Sequence, residues 1–281
     1  MPERVNLHEE TVAGFGREWS TFTQGETVLT ASEREKIFAD YFGIFPWDKL
    51  PPGGGVGCDV GCGSGRWAWV AAPRVGHLHL VDVSPQALEV AKLNLAGMRN
   101  VTFHLAGAHD VPVPDGSLDF AYSLGVLHHV PDTARAITDI ARKLKPGAPF
   151  LVYLYYAFDN QPWWYVAIWR ASAALRAVMS RLPHALRRPL SELIALTVYW
   201  PLARLGRALD AAGMLPKSWP LAYYRDKSFY VMRTDAYDRF CTQLEQRFTR
   251  AQIAGMLEAA GYEQIRFSDR APFWCAVGIK R

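Results

Sequence analysis

Val56-Gly-Cys-Asp59-Val-Gly61-Cys-Gly63-Ser-Gly65-Arg66 changes character halfway along. Its first five residues form a short apolar run behind the turn-forming Pro51-Pro-Gly-Gly-Gly55, which reads as a buried strand. The next five place glycine at alternate positions, where bare backbone turns tightly and lets a ligand lie against it. A helical pattern follows, from Trp67 to Ala72. Working outward, Leu78–Val83 reads as a second strand. Ser84-Pro85 then opens a helix, with proline at its first position. Val101–Leu105 and Leu118–Leu124 supply a third and fourth strand. Asp132 can cap a helix carrying Ala136, Ile137, Ile140 and Leu144, which Lys145-Pro-Gly147 ends, and Pro149–Tyr155 is a fifth strand. Strand alternating with helix from 56 to 156 predicts a parallel sheet covered on both faces.

The alternation breaks at Ala157. Residues 157–248 are rich in Trp, Tyr, Leu, Ala and Arg, with helical stretches split near Pro183, Pro201 and Pro216. It resumes at Thr249, an N-cap for Ile253, Met256 and Leu257, with Gly261 as the stop and closing strands at Gln264–Ser268 and Phe273–Ile279. The expected architecture is α/β: a doubly wound, mostly parallel seven-stranded sheet with a helical insertion forming a cap. It divides into a helical N-terminal segment (1–50), a core (51–156), the insertion (157–248) and a returning helix with two strands (249–281).

With 281 residues, half of them hydrophobic, and 21% charged, the chain can bury a sizeable core. The net charge of +4 carries no block of Lys or Arg, so no nucleic-acid partner is expected. The N-terminus is polar, without an apolar signal core. Trp163–Met179, the most apolar stretch, is interrupted by Arg170 and Arg176. These features predict a cytoplasmic protein, with contact to a membrane surface left open. Cys58, Cys62, Cys241 and Cys275 form no metal-ligand pattern, and the oligomeric state is not legible.

Glycine spacing discriminates between cofactors. A dinucleotide loop reads G-x-G-x-x-G, whereas Gly65 follows Gly63 by two, and Asp59 precedes the loop. S-adenosylmethionine carries an ammonium group, which an aspartate at the strand end suits. Asp82 ends the second strand 82 − 61 = 21 residues after Gly61, where an acid accepts from ribose hydroxyls.

DVGCGSGRW at 59–67, LVDVSPQALEVAK at 80–92, VPVPDGSLDFAYSLGVLHHVPD at 111–132 and LKPGAPFLV at 144–152 resemble class I S-adenosylmethionine-dependent methyltransferases, small-molecule enzymes related to the ubiquinone and menaquinone biosynthesis group. The resemblance implies that Asp59, Gly61, Cys62, Gly63 and Gly65 hold the methionyl part and Asp82 the ribose. It also implies that Val83 packs on the adenine, and that Ser123 and Leu124 line the sulfonium side. The family commonly has an aspartate after the third strand, where this chain has Gly107; backbone at Ala108 and His109, or Asp110, is left to meet the adenine.

His128 and His129 follow the fourth strand, at the sheet edge where ligands bind. One can serve as a base, or both can simply shape the loop. Arg17 and Trp19 lie in a segment that reads either as a lid on the cofactor or as ordinary helix packing. Trp163, Trp164, Tyr223 and Arg225 are candidates for an acceptor pocket in the insertion, whose Trp and Arg also suit a membrane surface. The reading is a methyltransferase acting on a small, partly apolar metabolite at oxygen or carbon. A non-catalytic cofactor-binding or membrane-associated scaffold is the alternative, and an NAD-dependent dehydrogenase is disfavoured by the loop spacing.

Overall fold

A computed structural model describes residues 6–25 and 30–281; the helical expectation for 1–5 and 26–29 lies outside the described residues. The chain forms two compact units, one of residues 1–157 with 244–281 and one of residues 158–243.

The first unit opens with α1 (Glu9–Thr21) and α2 (Ala31–Phe42). Strand and helix then alternate through β1 (Val56–Val60), α3 (Arg66–Ala71), β2 (His77–Asp82), α4 (Pro85–Asn94), β3 (Val101–Leu105), β4 (Phe120–Leu124), α5 (Thr133–Lys143) and β5 (Pro149–Tyr153). The chain leaves this unit after β5. It returns to form the last elements described below, α10, β6 and β7.

The seven-stranded sheet has the order β3-β2-β1-β4-β5-β7-β6, where β6 is Tyr262–Phe267 and β7 is Cys275–Lys280. β1 to β5 run parallel, and β7 is antiparallel to both β5 and β6 because only a short connection links it to β6. The period of two sorts the strand residues. Cys58, Val60, Val81, Ala121, Phe150 and Val152 join one core with Ile137 and Ile140 of α5. Phe120 and Tyr122 take the opposite face, where Phe45 and Phe42 meet them at ring separations of 5.9 and 5.0 Å.

Local chemistry sets the helix starts. Ser84 accepts from the Ala87 amide at 3.2 Å with Pro85 at the first helical position, and Asp132 accepts from Arg135 at 2.9 Å. Thr249 and Gln252 form a reciprocal capping box on α10 (Arg250–Ala259), and Gly261 leaves it at φ 84°. β4 and β5 are shorter than expected. After Tyr153 the chain pairs instead with the returning segment, where the Phe248 amide donates to the Tyr155 carbonyl at 2.9 Å. Residues 244–248, read from sequence as insertion, therefore belong with the sheet unit.

The second unit packs α6 (Trp163–Met179), α7 (His184–Ile194) and α8 (Trp200–Ala211) with α9 (Phe229–Cys241). Its core comprises Met179, Ala195, Tyr199, Ala203, Met232, Ala236 and Phe240. The break expected at Pro201 does not occur. The backbone stays helical from His184 to Ala211, with a wider π turn at Ala195–Tyr199 immediately before the proline. A proline ring crowds the carbonyl one turn back, and the extra residue of a π turn relieves that clash.

Candidate active site

β1 connects to β2 on one side and has β4 on the other, so the winding reverses between β1 and β4. Loops at the carboxyl ends of strands flanking such a reversal form a crevice in open α/β sheets.

The glycine loop stands at that position. The Gly61 and Cys62 amides both donate to the Val81 carbonyl, at 2.7 and 3.0 Å. Gly61 is at φ 81°, and a Cβ there would lie 2.4 Å from Val126, so no other residue fits. At Gly63 a Cβ would stand 3.0 Å from the Trp19 indole, so α1 lies directly against the loop. The segment after α1 adds further ties: Ser64 donates to Gln24 at 3.0 Å, and Asn94 donates to the Ser64 and Thr23 carbonyls at 2.9 and 2.7 Å. Gln24 and Asn94 carry no sequence signal, because their partners lie on distant stretches of the chain. Arg17, on the same helix as Trp19, is exposed.

The two acids sit in different environments. Half-buried Asp82 accepts from the Gly63 amide at 2.9 Å through Oδ2 and from the Ser84 amide at 2.8 Å through Oδ1. Burial raises its carboxyl above the usual range, and the amides of Ser84, Gly63 and Val83 pull it back. The sequence reading treated Asp82 as a ligand group only, but it also braces the loop. Each oxygen retains a second lone-pair direction for a hydroxyl.

Asp59 is completely buried. It lies across the β1–β4 register from Tyr122. Burial holds its carboxyl well above the usual range; Tyr122 lowers it, Asp82 raises it and Arg66 lowers it. Although Tyr122 interacts with the carboxyl, neither Asp59 oxygen nor the Tyr122 hydroxyl completes an aligned hydrogen bond. A buried carboxylate without aligned donors is costly, which makes Asp59 a candidate functional position.

Beyond β2, a Cβ on Gly107 would lie 2.6 Å from the His109 ring and 3.5 Å from Val83. Glycine at this position leaves room for the His109 imidazole, and Asp110 is exposed. Ala108 is half-buried next to them. Ser123 donates to the Val60 carbonyl at 2.8 Å, so its hydroxyl locks β4 to the end of β1, with Leu124 buried beyond it.

His128 and His129 differ. His128 is fully buried, neither ring nitrogen has a hydrogen-bond partner, and its ring stacks on Tyr155 at 3.8 Å and 26°. Burial, then His129 and Arg247, hold it well below the ordinary histidine range. His129 Nδ1 lies 2.6 Å from the Leu244 carbonyl, which can only accept. The proton therefore sits on Nδ1, and Nε2 is the basic nitrogen. Phe15 of α1 packs edge-on against this ring at 4.9 Å. The sequence offered no orienting partner for either histidine, since Leu244 is 115 residues away. Arg247, over the Tyr155 ring at 5.0 Å, donates to Glu245 at 2.8 Å, so the returning segment also supplies a buried ion pair.

In the helical unit, Trp163 is 81% exposed and Trp164 lies beside Tyr165. Tyr223 packs edge-on against Tyr224 and under the Lys227 ammonium. Arg225 donates to Asp210 at 2.9 Å and to the Ala222 carbonyl at 3.0 Å.

A family model described as a methyltransferase domain matches residues 58–152. The uncharacterized methyltransferase YcgJ of Bacillus subtilis is 34% identical over 104 residues, 36% of this chain and 41% of its own length. The ubiquinone biosynthesis O-methyltransferase of Thiobacillus denitrificans is 35% identical over 101 residues, 35% of this chain and 44% of its own. A demethylmenaquinone methyltransferase of Staphylococcus aureus is 36% identical over 92 residues, 32% and 38% respectively. The chain thus spans less than half the length of these curated relatives. Among solved structures, a chain of the complex between the Haloferax volcanii Trm112 methyltransferase activator and a methyltransferase superposes with a TM-score of 0.51. It is 14% identical over 94% of this chain and 96% of that one, a likeness of fold. The matched residues, 58–152, carry the glycine loop and both acids.

Proposed function

We propose that the chain transfers a methyl group from S-adenosylmethionine to a small, partly apolar acceptor, at oxygen or carbon. The observation that carries this reading is Asp59, a buried carboxylate without an aligned donor beside a loop of alternating glycines. A cationic amino acid moiety supplies the charge that Asp59 lacks, whereas a pyrophosphate would be repelled. The other residues fit the same ligand. The glycine loop Gly61-Cys62-Gly63-Ser64-Gly65 is assigned the methionyl part, Asp82 offers lone pairs to ribose hydroxyls, and Val83, Ala108 and His109 are assigned the adenine. Trp19 covers the loop, and Ser123 and Leu124 close the floor. The exposure of Arg17 gives it at most a peripheral part.

The cofactor supplies a methyl group on an already activated sulfonium, so the protein's work is alignment and the exclusion of water. With that group bound, methyl transfer to an acceptor O–H or C–H would release a proton, which a base of this chain would receive. His129 suits that part: its Nδ1–H is held by the Leu244 carbonyl, leaving Nε2 to accept. His128, kept neutral by burial, serves as an apolar wall under Tyr155. Acceptor choice is assigned to the helical unit, with Tyr223 and Arg225 as its polar candidates. Trp163 and Trp164, on an outward face, fit the different role argued below.

Calorimetry with S-adenosylhomocysteine, NAD and NADP tests the cofactor, and tritium transfer from labelled S-adenosylmethionine into a metabolite extract tests turnover. S-adenosylhomocysteine should bind and a labelled small molecule should form. Binding of NAD instead would overturn the cofactor assignment, and cofactor binding without any labelled product would overturn the catalytic one.

A further inference from the structure

The helical unit leaves much apolar surface outside its core. Nine positions of α6 are exposed, and Arg170 is the one polar residue among them. The polar groups of this helix turn inward instead: Ser172 accepts from Arg239 at 3.2 Å, and Arg176 donates to the Thr242 and Gln243 carbonyls at 3.1 and 3.2 Å. The exposed side of α7 and the turn after it continues the pattern with Leu186, Leu193 and Leu196. Among the described residues, every exposed large hydrophobic except Leu93 and Leu105 falls between Trp163 and Met214. Isolated exposed leucines are ordinary, but a concentration on consecutive helices marks an interaction surface.

The charges on these helices identify the partner. From Trp163 to Ala211 the sequence holds seven arginines and two acids, Asp210, which is exposed and engaged by Arg225, and Glu192. Glu192 is half-buried and engaged by Arg188 and Arg233. Arg170, Arg181, Arg188 and Arg207 are exposed among the apolar side chains. A second copy of this face would bring arginine against arginine, because the two acids of these helices already engage arginines of their own chain. Anionic lipid supplies both what the leucines and tryptophans need and what the arginines need. No helix among the described residues is long and apolar enough to span a membrane. The 17 residues of α6 extend about 25 Å, short of a hydrocarbon core of about 30 Å.

We propose that the outward face of α6, α7 and α8 seats the protein on an anionic lipid bilayer. Trp163 and Trp164 at the start of α6 then take the interfacial position that tryptophan favours. The inference is independent of the methyl-transfer reading.

The test is flotation of the full chain with vesicles of phosphatidylcholine alone or with about one third phosphatidylglycerol. Binding should require the anionic lipid, weaken at high salt, and fall about tenfold or more in both Ile168→Glu/Leu175→Glu and Arg170→Glu/Arg181→Glu. S-adenosylhomocysteine binding by the same variants should stay unchanged, which separates loss of docking from loss of fold or of the cofactor site. In the wild-type protein, brominated lipid should quench tryptophan emission. Absence of both flotation and quenching would overturn the proposal. So would equal binding to neutral vesicles, or a dimer by light scattering that Ile168→Glu/Leu175→Glu dissociates.

Discussion

Replacing Asp59 with asparagine should move stability and cofactor affinity in opposite directions. The side chain is fully buried, no aligned donor reaches its oxygens, and burial holds the carboxyl well above the usual range. Ionising it in the folded chain therefore costs free energy that the unfolded chain does not spend. The sign follows from the raised folded value: stability is highest below the unfolded carboxylate range near about pH 4 and declines as pH rises towards the folded value. An amide of the same shape removes that decline, though it remains a polar group short of partners, at a cost of about 1–3 kcal/mol. Against a buried unpaired charge worth several kcal/mol, the net gain at pH 8 is about 1–3 kcal/mol. For a chain of this size that raises the unfolding temperature by roughly 2–8 °C. Affinity should fall, because a hydrogen bond to a charged group is worth about 1.5–3 kcal/mol, or about 10- to 150-fold in Kd. Thermal unfolding at pH 5 and pH 8, with calorimetry of S-adenosylhomocysteine, measures both. A variant that melts earlier than wild type at both pH values and binds the ligand equally well would refute the reasoning and leave Asp59 an ordinary structural acceptor.

Asp82→Ala should weaken S-adenosylhomocysteine binding and also destabilise the unliganded chain by about 2–4 kcal/mol, since both carboxylate oxygens hold loop amides; urea unfolding with an unchanged midpoint would show that the loop does not depend on it. His128 sits well below the ordinary histidine range in the folded state. Its contribution to stability is therefore complete above the unfolded value near about pH 6.5 and is lost as pH falls beneath it, by about 1.4 kcal/mol per pH unit. His79, lowered to about 4, adds the same sign. His128→Phe should flatten the decline between about pH 6.5 and 5 by the share of one histidine, and urea midpoints that keep the wild-type slope would assign the acid sensitivity elsewhere.

The α/β alternation, the helix starts at Ser84, Asp132 and Thr249, and the glycine loop were legible in the sequence because each depends on neighbours within a few residues. A cap bonds to an amide three positions on, a buried strand shows as an apolar run, and a glycine forced to positive φ shows as the glycine itself. The two acids were legible for the same reason: each sits at the end of a strand the pattern already marks. What they do was not. Gly63 and Ser84 turned Asp82 into a brace for the loop, and Asp59 became an orphan only once Tyr122 on β4 was set beside it without an aligned hydrogen bond. The tautomer of His129 rests on the Leu244 carbonyl, 115 residues further along the chain. Pro201 reads as a break until the π turn absorbs it. The apolar pattern of α6 reads as core, and only tertiary packing reveals which side of a helix has been left outside. Local rules act through covalent neighbours and are written in order along the chain, whereas burial and long-range hydrogen bonds depend on which distant segments the fold brings together.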